Sequence, residues 1–254
     1  MEAYTDFAAL YDEFMEYTPY DEWCDKILSI LQGHGISDGL VCELGAGTGE
    51  MTKRLQTAGY DMIGIDNSEA MLAIAREKEE EGSDILYLLQ DMREFELYGT
   101  VRAIVSVCDC VNYVTDPEEL LKVFKLCNNY LDPEGLLVFD FNTRYKYETV
   151  IGDATIAENG EDASFIWENY YDSESSMNEY DITFFVKEEG DMYRKFTEEH
   201  FQKGYTTEEM KSLIEEAGMV FVDALDVDTM APAGNESERV YIIAKEKGKS
   251  WKTM

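Results

Sequence analysis

Basic residues, histidine and proline are scarce in this chain, and its cysteines form no recognisable pair. Each shortage excludes something. Only 21 lysines and arginines face 54 aspartates and glutamates, a net charge of −33. Duplex DNA and anionic membrane surfaces require clustered positive charge, so neither is expected as a partner. The five cysteines (Cys24, Cys42, Cys108, Cys110, Cys127) are scattered and odd in number. No CxxC pair and no Cys/His ligand spacing occurs, so a disulfide framework and a metal site are not expected, and reduced thiols suit a cytoplasmic location. No apolar run reaches the ~18 residues of a membrane span. The N-terminus, Met1-Glu2-Ala3-Tyr4-Thr5-Asp6, is acidic where a secretory signal would be basic. Apolar residues are plentiful instead: 45% of 254 residues are hydrophobic and 13% aromatic, enough for the core of one large α/β domain or two small ones.

Phe7, Leu10, Tyr11, Phe14 and Met15 recur at helical spacing, as do Trp23, Ile27, Leu28 and Leu31, with Thr18-Pro19 as a break between two helices. Residues 1–34 therefore read as an N-terminal helical cap. Near-continuous apolar runs at 39–44, 61–66, 85–90, 103–107 and 136–141 then alternate with helical patterns at 49–58, 69–81 and 117–131. Asp116 is placed to cap the last of these helices, with proline at its first position. This alternation predicts a parallel sheet covered on both faces. It breaks after Arg144. Segments 164–171, 177–188 and 192–203 read as three antiparallel strands joined by polar turns. A helix follows from Thr206, with a capping-box spacing to Glu209 and a stop at Gly218, and then strands at 219–228 and 238–246. The expected organisation is a cofactor-binding core over 35–148 and 205–248, with an antiparallel β insertion over 149–204.

The most informative segment is Glu43-Leu44-Gly45-Ala46-Gly47-Thr48-Gly49, between the first strand and the next helix. Glycines permit a sharp turn and close backbone approach, and the helix N-terminus points free N–H groups at the same place. A dinucleotide site wants a third glycine where this chain has Glu50, whose carboxylate would repel a pyrophosphate. A phosphate-binding GK[ST] sequence is also missing. The loop therefore suits a nucleoside cofactor without phosphates. A ribose still needs an acid, and Asp66 ends the second strand about 20 residues beyond Gly45.

These motifs resemble those of the class I S-adenosylmethionine-dependent methyltransferases, across most of the chain. Glu43 to Gly49 is similar to that family's glycine-rich motif, Gly64-Ile65-Asp66-Asn67-Ser68 to its ribose motif, and Gln90-Asp91-Met92 to its adenine-side motif. The resemblance implies a Rossmann-like seven-stranded sheet with the last strand antiparallel, an inserted antiparallel β lid, and S-adenosyl-L-methionine as cofactor. It implies that Asp66, with Asn67, holds the ribose hydroxyls. Asp91, with Gln90, takes the adenine amino group, and Met92 and Met71 pack the ring. Glu43 and the backbone of Gly45, Ala46 and Gly47 hold the methionine part, and Cys108 and Asp109 lie near the methyl donor. Phe7-Ala8-Ala9-Leu10-Tyr11-Asp12 resembles the N-terminal helix of the small-molecule N-methyltransferases and the YqeM-type proteins. That likeness places Tyr11 over the sulfonium and Trp23 on the same side. The branch often carries an arginine near position 204, where this chain has glycine.

A neutral amine acceptor would be helped by a base, for which Asp109, Asp140, Tyr11 and His200 are the candidates. Asp140 and Asn142, at the end of the fifth strand, and Asn112 and Tyr113, after the fourth, are placed to touch the acceptor. The insertion between 151 and 205 carries 14 acidic and 4 basic side chains. That acidity reads either as a solvated surface or as a field attracting a cationic acceptor. Its aromatics (Phe165, Trp167, Tyr170, Tyr171, Phe184, Phe185) fit an acceptor pocket, a sheet core or a homodimer seam. The expected acceptor is a small molecule. Methylation of RNA or protein, and a non-catalytic sensor of the cofactor, are the competing readings.

Overall fold

The computed structural model describes residues 11, 12, 14, 15, 18–80, 82–160, 163–188, 190 and 192–250. The N-terminal helix expected through Phe7-Ala8-Ala9-Leu10 lies outside them, except for Tyr11 and Asp12. In chain order, the core contains α1 (Tyr20–Gly33), β1 (Gly39–Leu44), α2 (Glu50–Thr57), β2 (Tyr60–Asp66), α3 (Glu69–Glu77), β3 (Leu86–Leu89), β4 (Val101–Ser106), α4 (Pro117–Tyr130) and β5 (Leu131–Asn142). The insertion holds β6 (Thr155–Asn159), β7 (Ala163–Asp172), β8 (Met177–Lys187) and β9 (Tyr193–Lys203), and the chain then returns through α5 (Thr207–Glu216), β10 (Val220–Asp226) and β11 (Arg239–Lys245).

The seven core strands form one sheet in the order β10-β11-β5-β4-β1-β2-β3. β1, β2, β3, β4 and β5 run parallel, and β11 is antiparallel to both of its neighbours. Strand side chains alternate between two buried layers, which is why the runs read as continuously apolar. Cys42, Leu44, Ile104, Leu137 and Phe139 face one way, against Leu120 and Phe124 of α4 and Met210 and Ile214 of α5. Val41, Ala103, Val105 and Val138 face the other way, against Ile27 and Leu31 of α1 and Met51 and Leu55 of α2. The strand order reverses between β1 and β4, and ligands of such sheets bind at the carboxyl ends of the strands beside that point.

The predicted caps are present. Asp116 Oδ1 accepts from the Glu118 N–H (2.8 Å) with Pro117 at the first position of α4, and Thr206 and Glu209 form a reciprocal capping box on α5. Several elements differ from the sequence reading: β5 begins at Leu131 rather than 136. α3 stops at Glu77 rather than running to 81, because Arg76 to Ser83 offers no apolar side chain to pack. The insertion has four strands rather than three. β6 is an edge strand exposed along its whole length, so it lacks the alternation that marks a half-buried strand. A π-helix, Lys146–Ile151, links β5 to the insertion and has no apolar periodicity to announce it.

The insertion is tied at its neck. Thr143 and Tyr205 form a parallel bridge, and the Arg144 N–H donates to the Tyr205 carbonyl (2.9 Å). A Cβ at Gly204 would stand 3.1 Å from Arg144 Cα and 3.3 Å from the Tyr147 ring, so the neck has little room for a side chain there. Across β7, β8 and β9 the register aligns Trp167, Ile182 and Glu198 on one face and Glu168, Asp181 and Glu199 on the other. Phe165, Trp167 and Phe184 therefore turn inward; Phe184 is buried, stacking on Phe196 and touching Phe14. Exposed Glu168, Glu179 and Glu199 lie on the outer face, a solvated acidic surface rather than a cavity wall. Among the described residues, no helix is long and apolar enough to cross a membrane, and no cluster of potential metal ligands is found.

Candidate active site

A cavity of about 1010 Å³ lies over the carboxyl ends of β1, β2, β4 and β5 and runs under the insertion. Its floor is the β1–α2 loop. Gly45, Gly47 and Gly49 all have positive φ (77°, 53° and 81°), a conformation that costs other residues a Cβ clash. The N–H groups of Gly45 and Ala46 donate to the Ile65 carbonyl (2.8 and 2.9 Å), fixing the loop to β2. A Cβ on Gly45 would fall 2.4 Å from Cys110 Sγ, whereas one on Gly47 would meet nothing within 4 Å, since Gly47 borders the cavity.

Asp66 borders the cavity beside this cradle. Its Oδ2 accepts from Gly47 N–H and its Oδ1 from Ser68 N–H, both at 2.8 Å. Burial pushes its pKa up, and those N–H groups oppose the rise. The carboxylate is thus fixed in direction while keeping lone pairs for ribose hydroxyls. Met71, Gln90 and Met92 line the same end, where no lysine or arginine stands among the described residues to meet a phosphate. This donor set fits an adenosyl group joined to an amino acid and does not fit a pyrophosphate.

Glu43 is 1% exposed and accepts from the Thr52 hydroxyl. Burial raises its pKa from 4.5 to about 8. The folded protein therefore holds this proton across a range where the unfolded chain has lost it. Glu43's contribution to stability is full below about pH 4.5 and is lost as pH climbs to about 8, with a slope of up to ~1.4 kcal/mol per pH unit. Urea unfolding at pH 5, 6.5 and 8 should show wild type losing ground to Glu43→Gln at each step. Parallel curves for the two proteins would contradict this.

Tyr11, Glu43, Gly45, Ala46, Gly47, Asp66, Asn67, Met71, Gln90, Met92, Cys108, Asp109 and His200 all border the cavity. Four expected residues do not: Trp23, Asp91, Asp140 and Asn112. Trp23 stands behind the wall, with the Arg239 guanidinium 4.1 Å from its ring centroid. Asp91 turns to Arg93, accepting from its Nε at 2.9 and 3.0 Å and from its backbone N–H at 2.8 Å, and the neighbouring Gln90 side chain is tied to Glu96, donating to its carbonyl (3.3 Å) and accepting from its N–H (2.7 Å). Asp140 is fully buried. Its Oδ1 accepts from Asp109 N–H (2.7 Å), and its Oδ2 from Cys108 N–H (3.2 Å) and Arg239 Nη2 (2.5 Å). Asp140 is therefore not placed as a base toward an acceptor; it holds the loop that carries Cys108 and Asp109, both at positive φ (61° and 49°).

The far half of the cavity is built between this loop and the insertion. Gln202 Nε2 donates to Asp109 Oδ2 (2.5 Å), and Gln202 Oε1 accepts from the Tyr147 hydroxyl (2.7 Å). Burial raises the Asp109 pKa, and the Arg239 charge works against the rise. The Tyr113 and Tyr180 hydroxyls are 2.7 Å apart. His200 stacks on Tyr180 (4.8 Å), with Nδ1 3.2 Å from the Tyr113 hydroxyl and Nε2 3.4 Å from the Glu198 carboxylate. Asn112 is structural: its amide donates to the carbonyls of Asn142 and Lys203 (2.9 and 2.8 Å). Tyr20, Lys146, Tyr147 and Gln202 border the cavity without having been anticipated. Of these, only Gln202 carried a signal, lying two residues beyond His200 on the same face of a strand.

Fold and cradle together define a nucleoside-cofactor site on a doubly wound α/β domain. Residues 41–135 match the model of a methyltransferase domain. The chain is 35% identical over 248 residues to YqeM of Bacillus subtilis (strain 168), which is named as a methyltransferase; the match covers 96% of this chain and 97% of that one. The crystal structure of a S-adenosylmethionine-dependent methyltransferase from Clostridium acetobutylicum ATCC 824 superposes with a TM-score of 0.86 at 26% identity, covering 97% of this chain and 100% of that one. CalS10, an amino pentose methyltransferase from Micromonospora echinaspora, shares the fold at a TM-score of 0.75 and 17% identity, over 97% of this chain and 98% of that one. The chain belongs to the class I S-adenosylmethionine-dependent methyltransferases, and S-adenosylmethionine is its cofactor.

Proposed function

We propose that the protein methylates a small-molecule amine enclosed beneath the β6–β9 sheet. The observation that carries this reading is the far half of the cofactor cavity. Beyond Asp109 it is walled by side chains of the insertion, chiefly Trp167, Tyr180, His200 and Gln202, and by Tyr113 and Tyr147 of the core. A chamber lined with aromatic rings and a few polar tips suits a small ligand. An RNA acceptor would call for a basic face, and this chain carries 21 lysines and arginines against 54 acidic residues. The amino pentose acceptor named for CalS10 is in keeping with an amine.

When bound, the cofactor supplies an electrophilic methyl group on a sulfonium. The chain's own residues supply position, dryness and a proton acceptor. Asp66 and the β1–α2 loop orient the cofactor, and Tyr11 borders the cavity from the N-terminal side. The attacking amine must be neutral, and Asp109, with its pKa raised and its Oδ2 held by Gln202, is the base that takes its proton. The Tyr113 and Tyr180 hydroxyls present a hydrogen-bonding pair to the acceptor, and His200 behind them fixes their direction.

A screen of small amines, read by formation of methylated product, tests the acceptor class. With an acceptor in hand, Asp109→Asn should lower kcat by roughly 10²-fold or more, the usual range for loss of a positioned base, while affinity for S-adenosylhomocysteine changes by under about 3-fold. An unchanged kcat would remove Asp109 from this role.

A further inference from the structure

Lys146 is the first residue of the π-helix Lys146–Ile151, a rare element found frequently at functional sites. Among the described residues it is the only lysine or arginine that borders the cavity. Its ammonium donates to Asn142 Oδ1 (2.9 Å), and among the described residues no carboxylate lies within 4 Å of it. Neighbouring cations are treated differently: Arg239 pairs with Asp140, Arg144 with Glu209, and Lys78 with Glu50. Among the described residues, this one cavity cation is thus without a carboxylate partner within 4 Å. Burial lowers the Lys146 pKa, while Asp109 acts to raise it. An ammonium removed from water without an opposite charge is costly, and a ligand that brings the missing anion recovers that cost.

We infer that the methyl acceptor carries a carboxylate, and that Lys146, steadied by Asn142, binds it while Asp109 faces the amine. This rests on the small-molecule amine reading given above. The pattern is one acid and one base on the wall of a single chamber, complementary to an acceptor that has an amine at one end and an acid at the other. A single cation favours a monoanion, because Asp109 on the same cavity would repel a phosphate dianion.

The test uses the full chain saturated with S-adenosylhomocysteine, titrated in a calorimeter with matched pairs: glycine and glycinamide, β-alanine and its amide, 4-aminobutyrate and its amide. Wild type should bind at least one acid tenfold or more tightly than its amide. Lys146→Met should reduce that preference to under twofold, and Lys146→Arg should keep it, with affinity for S-adenosylhomocysteine within twofold in all three proteins. Lys146→Gln replaces the methionine variant if that one melts early. The inference is overturned if no acid binds, if amides bind as well as acids, or if the preference survives in Lys146→Met. It is equally overturned if Lys146→Met weakens S-adenosylhomocysteine tenfold, because the ammonium would then serve the cofactor's own carboxylate. The two readings fail separately. Acids that bind through Lys146 without being methylated would refute the amine reading alone, and amides methylated in preference to acids would refute the carboxylate alone.

Discussion

Gly45→Ala is expected to lose about 3 kcal/mol, shared between a lower melting temperature and weaker binding of S-adenosylhomocysteine. Two independent costs add. At φ +77° an L-residue pays roughly 1–2 kcal/mol for the left-handed conformation. The new methyl would also sit 2.4 Å from Cys110 Sγ and 2.9 Å from Cys110 Cβ, so one of the two must shift. Cys110 opens a single helical turn, Cys110–Tyr113, directly after Asp109, and moving it displaces both Asp109 and Tyr113. For a domain of this size, each kcal/mol of the loss that falls on stability lowers Tm by roughly 2–4 °C. The companion substitution Cys110→Gly should recover the steric part and leave the conformational part. Full recovery, or none, would show that only one of the two costs operates.

Arg239→Met is expected to have a still larger effect on stability, roughly 3–5 kcal/mol, because it leaves a buried carboxylate without its cation. Asp140 has no exposed surface, and Arg239 is its only ionic partner among the described residues. Burial opposes the charge on Arg239, yet Asp140, with Cys108 and Asp109, holds the guanidinium above its ordinary pKa. The pair also supports a strained segment. Cys108 and Asp109 occupy left-handed backbone at roughly 1–3 kcal/mol each, and the Asp140 carboxylate accepts both of their N–H groups. Adding Asp140→Asn to Arg239→Met removes the uncompensated charge, so the double variant should be more stable than Arg239→Met alone. Denaturant midpoints for the three variants decide the matter. A loss under about 1 kcal/mol for Arg239→Met would mean that water reaches Asp140 and the clamp is not structural.

How far the sequence could be read follows the range of the interactions. The β1–α2 loop and Asp66 were legible because glycine conformation, strand ends and helix N-termini are local matters. The same holds for Asp116 and Thr206, whose partners lie within three residues. Asp140 shows where local reading stops. A carboxylate at the end of a parallel strand faces the site by default, and what turns this one inward is Arg239, 99 residues away. Trp23 was drawn behind the wall by the same guanidinium. Asp91 had its competing partner close by in Arg93, but a charge two residues away reveals nothing of its rotamer. Lys146 was hidden by its backbone, since a π-helix follows neither of the two periodicities that sequence patterns expose.

The most direct test of the cofactor site is calorimetric titration of wild type and Asp66→Ala with S-adenosylhomocysteine and with NAD. The site described here predicts micromolar binding of S-adenosylhomocysteine by wild type, a loss of roughly 1–3 kcal/mol in Asp66→Ala, and no measurable binding of NAD. Equal affinity in the two proteins, or NAD binding as tightly as S-adenosylhomocysteine, would contradict it.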